Sequence, residues 1–202
     1  MAKFCKFFVV LLLFSNYSFS QNFLSTSGKS IVNENGDTII LRGMGLGGWM
    51  VQEGYMMAPG GFSSTQYQIK DKIIELVGEE ETQIFYDNWL KNHVSKTDID
   101  SMKSWGFNLV RAPIHYNLFT LPIEQEPFPG AYTELEVGYN LLDSLLSWCK
   151  ENEIYLMIDL HAAPGGQGYN ADISDYDPTK PSLWESELNQ NKTVELWKRL
   201  SQ

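Results

Sequence analysis

Residues 154–169 read Ile-Tyr-Leu-Met-Ile-Asp-Leu-His-Ala-Ala-Pro-Gly-Gly-Gln-Gly-Tyr, an apolar run that stops abruptly in polar residues and glycines. The apolar part is typical of a parallel strand covered by helices on both faces, and residues 137–153 before it have helical period. Because side chains alternate along a strand, Asp159 and His161 point to the same side near its C-terminal end. Parallel α/β sheets and barrels place ligands at that end, so the stretch predicts a buried strand that ends at a functional site.

Two earlier segments are also predicted to form strands. Residues 43–49 predict a first strand that bends at its glycines, and residues 108–113 predict a second strand with Arg111 near its end. Helical patterns fall between and after the strands, over residues 64 or 65 to 77, 79–92, 97–106, 137–153 and from 186 or 189 onward. Alternation of strands and helices predicts an α/β protein, a partial (β/α)8 TIM barrel of about the first three βα units.

A small β-hairpin is predicted ahead of the barrel. Residues 29–32 and 38–42 are apolar-alternating runs, and residues 33–37 between them contain the Asn35-Gly36 pair that is typical of hairpin turns. The glycines at 43, 45 and 48 also match the G-x-G-x-x-G pattern of dinucleotide folds. No helix opens on the third glycine, so a bent barrel strand accounts for them better.

The chain is shorter than a complete barrel. It has 202 residues and three predicted units, whereas a full barrel has eight units and typically ~250 residues. We therefore expect residues 21–202 to be the N-terminal portion of a barrel domain, truncated before strand four.

Residues 1–20 have the layout of a secretory signal peptide. Lys3 and Lys6 precede an apolar run over residues 7–14, and small residues lead to a predicted cleavage between Ser20 and Gln21. That run is too short to span a bilayer, so no stable membrane insertion is expected. The sequence predicts a secreted protein, extracellular or periplasmic.

Charge and composition exclude several classes of function. The net charge is -10, and loss of the two signal lysines leaves 13 basic against 25 acidic residues, which argues against a nucleic-acid partner. Cys149 lies on a predicted helix and is interpreted as a core residue. The histidines at 93, 115 and 161 lie on different elements, so neither a metal site nor a cofactor is predicted.

Polar side chains follow each predicted strand. Glu53 follows the first strand, Arg111 and Tyr116 the second, and His161 and Gln167 the third, so all are expected at one barrel mouth. Aromatic residues near them suit a neutral polyhydroxylated ligand that is hydrogen-bonded at its edges and stacked on its faces. These aromatic residues are Trp49, Tyr55, Tyr116, Tyr169, Tyr176 and Trp184. For Trp49 a place in the core is an equally open interpretation.

Three motifs carry a family resemblance. Residues 46–53 (Leu-Gly-Gly-Trp-Met-Val-Gln-Glu), 110–116 (Val-Arg-Ala-Pro-Ile-His-Tyr) and 159–167 (Asp-Leu-His-Ala-Ala-Pro-Gly-Gly-Gln) resemble successive motifs of glycoside hydrolase family 5, the cellulase and exo-glucanase family of (β/α)8 barrels. The first and third are most similar to the branch acting on β-1,3-glucans. His115 departs from that branch, which commonly has glycine there.

The resemblance implies a retaining hydrolase of O-glycosidic bonds in a β-glucan-type polysaccharide or oligosaccharide. In the family, the acid/base and nucleophile glutamates follow strands four and seven, so no catalytic residue is assigned in this chain, which lacks an Asn-Glu-Pro triplet. Carried over, Arg111 would hold the nucleophilic carboxylate, while His161 and Glu53 would bind hydroxyls of the sugar at the cleavage point. Trp49, Tyr116 and Gln167 complete the predicted binding set.

Two further expectations follow from these assignments. Arg111 and Asp159, near the ends of adjacent predicted strands, should form a charge pair, because an unpaired buried carboxylate is costly. The chain alone should be inactive. The alternative is a non-catalytic sugar-binding or structural remnant, and the oligomeric state is unknown.

Overall fold

The computed structural model describes residues 23–57, 61 and 63–202, which form two compact units, 23–39 and 40–202. The predicted signal peptide and its cleavage point lie outside the described residues.

The hairpin in the first unit differs from the predicted one. Strand β1 (Ser25–Ser27) pairs antiparallel with β2 (Ser30–Val32), so the partner of β2 precedes it in the chain. The predicted second strand over residues 38–42 supplies one bridge, between Thr38 and Val32. The predicted turn is present, since the Asn33 side chain accepts hydrogen bonds from the backbone of Asn35 and Asp37. The tighter turn lies upstream, where Gly28 adopts a φ of 60° that glycine permits.

The second unit contains a parallel sheet of the three predicted barrel strands. Strands β3 (Gly43–Gly45), β4 (Leu109–His115) and β5 (Tyr155–Ala162) pair in the order in which they occur in the chain. After β3 the backbone bends at Gly48, whose φ is 77°, and rejoins β4 through a parallel bridge between Met50 and Ile114. The bent first strand and the parallel α/β class are confirmed.

Helices fill the connections. Their bounds are α1 Gly54–Met57, α2 Gln66–Val77, α3 Glu79–Asn92, α4 Lys96–Ser104, α5 Glu136–Glu151, α6 Ala171–Ser174 and α7 Glu187–Leu200, with short 3-10 turns at Tyr116–Leu118 and Ile123–Gln125. Thr65 begins α2 with a capping box to Gln68, and Ser186 caps α7. The one-turn helices α1 and α6 were not predicted, because four residues are too few to show a period. None of the helices in the described ranges is long and apolar enough to cross a membrane.

The core lies between one face of the sheet and the helices. Alternate residues of β4, Val110, Ala112 and Ile114, are fully buried. They belong to one apolar cluster with Ile99 of α4, Leu145 and Cys149 of α5, and Leu196 of α7. Cys149 is fully buried, which confirms its interpretation as a core residue, and this burial raises the pKa of its thiol to about 11.

The other face of the sheet is less covered than the sequence predicted. Met157 on β5 is 45% exposed, so the expectation of a strand buried on both faces is wrong. In the described residues β5 pairs only with β4, which leaves it at the edge of the sheet. Local hydrophobicity cannot distinguish an edge strand from a central one.

A buried ion pair fastens the segment between β4 and α5 to α7. The side chains of Lys192 and Glu126 are only 3% and 2% exposed, and they contact each other directly. Lys192 also donates to Thr120 Oγ1, and Thr133 donates to Glu126. Burial by itself would raise the pKa of Glu126, but the bonds from Lys192 and Thr133 outweigh it and hold that pKa below its ordinary value of 4.5.

We predict that Lys192→Met lowers the free energy of unfolding by ~3–5 kcal/mol, because it leaves a buried carboxylate without its cation. Urea unfolding near neutral pH measures the effect. Arg199→Met is the matched control, since Arg199 and its partner Glu134 are 41% and 43% exposed and their pair should contribute no more than about 1 kcal/mol. Equal losses in the two variants would contradict the prediction.

The difference in unfolding free energy between wild type and Lys192→Met should depend on pH. Because the pKa of Glu126 is lowered in the folded state, the contribution of the pair is present above pH 4.5 and lost as the pH falls through that lowered pKa. The stabilities of wild type and Lys192→Met should therefore converge in acid. Adding Glu126→Gln to Lys192→Met should recover part of the loss at neutral pH.

Candidate functional site

Four side chains on or after the three parallel strands form a continuous polar cluster, and we call it the strand-end cluster: Arg111, Asp159, His161 and Glu53. Arg111 Nη2 contacts Asp159 Oδ2, which confirms the predicted charge pair. The same oxygen lies 2.9 Å from His161 Nδ1. His161 Nε2 in turn lies 3.6 Å from Glu53 Oε2. The cluster thus joins Arg111 on β4 and Asp159 and His161 on β5 with Glu53, which follows β3.

The register of the sheet explains why these side chains meet. Arg111 stands opposite Met157, and Pro113 stands opposite Asp159. Residues at paired positions of neighbouring strands face the same side, so Arg111, Asp159 and His161 all lie on the face opposite the helices. The bend at Gly48 then brings the chain after β3 back beside β4, which positions Glu53 next to His161.

The contacts of His161 indicate its tautomer. Asp159 Oδ2 can only accept, so at 2.9 Å it requires the hydrogen on Nδ1. Arg111 Nη2 lies 3.2 Å from the same nitrogen, but its hydrogen bond goes to the carboxylate. Nε2 is therefore left toward Glu53 as the nitrogen that can accept from a hydroxyl group.

Glu53 is the most enclosed carboxylate of the cluster. Its side chain is 4% exposed, and among the described residues its polar contact is the 3.6 Å approach of His161 Nε2. A buried carboxylate gains much from hydrogen bonds, and this one is held at more than ordinary hydrogen-bond distance. The geometry leaves Glu53 able to accept from donors that a ligand brings.

Trp49 is not at the mouth, contrary to its predicted place in the binding set. It is 2% exposed, belongs to the apolar core and donates from Nε1 to the backbone oxygen of Leu90 at 2.8 Å. A buried indole needs such an acceptor, and α3 supplies it. Trp49 therefore has a packing role.

Gln167 has both ends of its amide bound to the backbone. Its Nε2 donates to the oxygen of His161 at 2.5 Å, and its Oε1 accepts from the amide of Ala163 at 2.9 Å. These two bonds close the turn that follows β5. Gln167 thus orients the chain beside His161, which is a supporting role within the predicted set of substrate-binding and supporting residues.

Tyr116 stacks on His115, with ring centroids 5.0 Å apart. Both residues line a cavity of about 420 Å³ beside the loop that follows β5, together with Asp175 and the backbone of Gly166. Burial raises the pKa of Tyr116, with smaller contributions from Glu124 and Asp175, so the phenol keeps its proton and can donate a hydrogen bond. Tyr116 lies in this adjacent cavity and makes no direct hydrogen bond to the strand-end cluster.

Several predicted mouth aromatics are accessible. Tyr55, Tyr169 and Trp184 are 66%, 92% and 69% exposed, and the rings of Tyr169 and Tyr176 meet edge to face at 6.3 Å. Exposed rings of this kind can stack on the apolar faces of sugars. Trp184 is held in place, since its Nε1 donates to the backbone oxygen of Gln167 at 2.7 Å.

Two residues have roles that sequence reasoning missed. Asp175, to which the sequence analysis gave no role, contacts the buried His115 at 2.9 Å. These residues are 60 positions apart, and no local pattern links them. His93 caps the C-terminal end of α3, and in the described ranges no group of three His, Cys, Asp or Glu side chains is placed to hold a metal ion.

Comparison with known proteins gives a consistent result. The family model described as cellulase (glycosyl hydrolase family 5) matches residues 60–202. A beta-xylosidase from Phanerodontia chrysosporium is 34% identical over 181 residues, which are 89% of this chain and 36% of that protein. Glucan 1,3-beta-glucosidase 2 from Saccharomyces cerevisiae is 30% identical over 149 residues, 65% of this chain and 26% of that protein. The chain thus spans 26% to 36% of the length of these two relatives.

A solved structure shares the fold. The rutinosidase from Aspergillus niger superposes with a TM-score of 0.58 and 18% identity, over 78% of this chain and 42% of that one. At this identity the likeness concerns the fold alone.

We predict that His161 is protonated on Nδ1, because Asp159 accepts from that nitrogen. Long-range ¹H–¹⁵N spectra of the imidazole, recorded above the pH at which histidines titrate, distinguish the two tautomers. In Asp159→Asn the neutral amide oxygen is a weaker acceptor than the carboxylate oxygen that both Arg111 and His161 contact, so the Nδ1–H population should fall. A wild-type ring protonated mainly on Nε2 would show that Arg111 orients it instead.

Proposed function

We propose that this chain, which belongs to glycosyl hydrolase family 5, builds the sugar-binding part of a site that hydrolyses β-linked glycans. In this proposal β3, β4 and β5 are the first strands of a (β/α)8 barrel, and the strand-end cluster lies at its mouth. The observation that carries the proposal is the enclosed Glu53 carboxylate facing His161 Nε2. Together they offer a hydroxyl group two acceptors in a sheltered position.

The roles of the cluster follow from its contacts. Glu53 accepts from sugar hydroxyls, since its one polar contact among the described residues is long. His161 Nε2 accepts a second hydroxyl hydrogen while Asp159 holds the ring from the other side. Arg111 uses Nη2 for Asp159 and is 41% exposed, so its remaining N–H groups can hold a ligand or a catalytic carboxylate.

The reaction we propose is hydrolysis with retention. Such enzymes use two carboxyl groups about 5–5.5 Å apart, one as acid and then base, the other as nucleophile. Glu53 and Asp159 already serve in binding and orientation, and Asp159 is neutralised by Arg111. We therefore place the acid and the nucleophile on barrel strands beyond the three described, where Arg111 would keep the nucleophile ionised.

The substrate we propose is a neutral, β-linked polysaccharide or oligosaccharide of the β-glucan type. The named relatives act, by their names, on a β-xyloside and on a 1,3-β-glucan, which share the β linkage. The exposed aromatic rings of Tyr55, Tyr169 and Trp184 and the net charge of -10 both favour an uncharged ligand over an anionic one. Stacking supplies affinity, and the strand-end cluster supplies orientation.

We predict that the purified 202-residue chain releases no reducing sugar from β-1,3-glucan, β-1,4-glucan or xylan, because its carboxylates are committed to binding. It should nevertheless bind β-linked oligosaccharides. Glu53→Gln should weaken that binding about tenfold or more, the usual effect of losing a charge-assisted hydrogen bond. Isothermal titration measures the affinity, and reducing-sugar assay measures turnover.

Asp87→Asn is the control for this experiment, since Asp87 is an exposed carboxylate on α3. Turnover above the blank that is lost in Glu53→Gln or Asp159→Asn would contradict the assignment of the catalytic carboxyls. A chain that binds no oligosaccharide would favour a structural remnant.

We further propose export of the protein after cleavage near Ser20-Gln21. Mass spectrometry of material secreted by an expression host should give a chain that begins at Gln21, because Ser18 and Ser20 present small side chains to the peptidase. Replacing Ser20 with Arg should abolish cleavage at this bond. A secreted chain that still begins at Met1 would contradict export by this route.

A further inference from the structure

Residues 163–186, which we call the β5–α7 loop, fold back tightly on themselves. The amide of Gly166 donates to the oxygen of Ala163 at 2.8 Å, and the amide of Leu183 donates to the oxygen of Gly166 at 3.0 Å. Gly165 and Gly166 both have positive φ, and an added Cβ on Gly165 would lie 2.3 Å from Asn189 Nδ2. The loop therefore has a defined structure, and its position depends on what anchors it to the rest of the molecule.

Asp175 anchors the loop to two other elements. Its Oδ1 accepts from the backbone amide of Tyr67 at 2.9 Å, in the first turn of α2. This amide is one of the helix donors that have no partner within the helix, and the positive end of the helix dipole favours a carboxylate there. Its Oδ2 lies 2.9 Å from His115 Nε2, at the end of β4. The Asp175 side chain is 11% exposed, so both contacts are sheltered.

His115 is built to donate to this carboxylate. The imidazole is 2% exposed, and its Nδ1 accepts from the amide of Asn117 at 3.1 Å. The ring hydrogen is therefore on Nε2, directed at Asp175. A glycine at position 115 would have no donor to offer.

The backbone of Asp175 is also constrained. Its φ of 52° and ψ of 36° place it in the left-handed region, at the end of α6. A residue other than glycine persists there when the surrounding structure holds it. The two carboxylate bonds provide that hold.

The anchor connects to the sugar site through its neighbours. Helix α6, immediately before Asp175, packs against β5 and against α1, the helix that begins directly after Glu53. Tyr176, immediately after Asp175, contacts Gly166 and meets the ring of the exposed Tyr169. Moving Asp175 would move both the aromatic pair and the element beside Glu53.

We propose that Asp175 is a positioning residue, which with His115 fixes the β5–α7 loop and its Tyr169–Tyr176 pair relative to Glu53 and His161. This inference rests on the proposed function, since it concerns the same sugar site. Asp175 orients the groups that touch the glycan and does not itself contact it.

Four substitutions test the anchor. Asp175→Asn tolerates the left-handed backbone, but its single amide oxygen cannot accept from both Tyr67 and His115. Asp175→Gly keeps the backbone conformation and removes both bonds. His115→Gln keeps a donor near Nε2, whereas His115→Phe keeps the ring and removes the donor. Asp172→Asn, on α6, is the control for loss of one negative charge.

The measurements are the affinity for a β-1,3-linked glucose tetrasaccharide, by calorimetry well below the unfolding temperature, and the midpoint of thermal unfolding. Both Asp175 variants and His115→Phe should bind about tenfold more weakly. His115→Gln should restore most of the affinity, and Asp172→Asn should match wild type. A merely structural role would lower the midpoint and leave the affinity of the folded protein unchanged.

The outcomes separate this inference from the proposed function. If wild type binds and both Asp175 variants bind equally well, the positioning role is overturned while the proposed function stands. Equal losses in His115→Gln and His115→Phe would also overturn it, because the donor would then be irrelevant. If wild type and control bind no oligosaccharide, the proposed function fails, and this inference fails with it.

Discussion

The register between β4 and β5 is the constraint on which the rest of the site depends. It sets Arg111 two residues before Pro113, the partner of Asp159, so that a guanidinium, a carboxylate and an imidazole share one face. A slip of one residue would turn Asp159 toward the helices and leave it without its cation. Burial of Val110, Ala112 and Ile114 on the opposite face penalises that slip, so the packing of the core and the geometry of the site stabilise the same register.

Two kinds of connection build on this register. Short connections join residues that are close in the chain. The side-chain amide of Gln167, for example, forms hydrogen bonds with the backbone of His161 and Ala163 and so orients the chain at His161. Long ones join distant elements: Lys192 reaches Glu126, and Asp175 reaches both His115 and the start of α2. Each long connection involves a charged side chain that is largely buried. Because a buried charge without its partner is strongly destabilising, each of these contacts favours one position of the segment that it holds. The segments that follow β4 and β5 are therefore held by a few strong contacts.

The elements with local signals were predictable from sequence. The capped start of α2, the acidic first turn of α3 and the strand that ends at His161 all have patterns within a few residues, and the pairing of Arg111 with Asp159 followed from alternation and the cost of an unpaired charge. The predictions that failed concern residues whose surroundings are set by parts of the chain far away in the sequence. Trp49 lies in the core because α3 offers it the oxygen of Leu90, and the exposure of Met157 depends on whether another strand lies beside it.

The identical order of strands in the sheet and in the chain has a consequence for synthesis on the ribosome. Among the three described strands of this sheet, each later one pairs with the one made just before it, so this part of the sheet can grow vectorially as the chain emerges. The strand-end cluster can form as soon as His161 has left the exit tunnel. Asp175 and Lys192 emerge after it, so the contacts that hold the loops form later than the strand-end cluster and can close beside strands that are already paired.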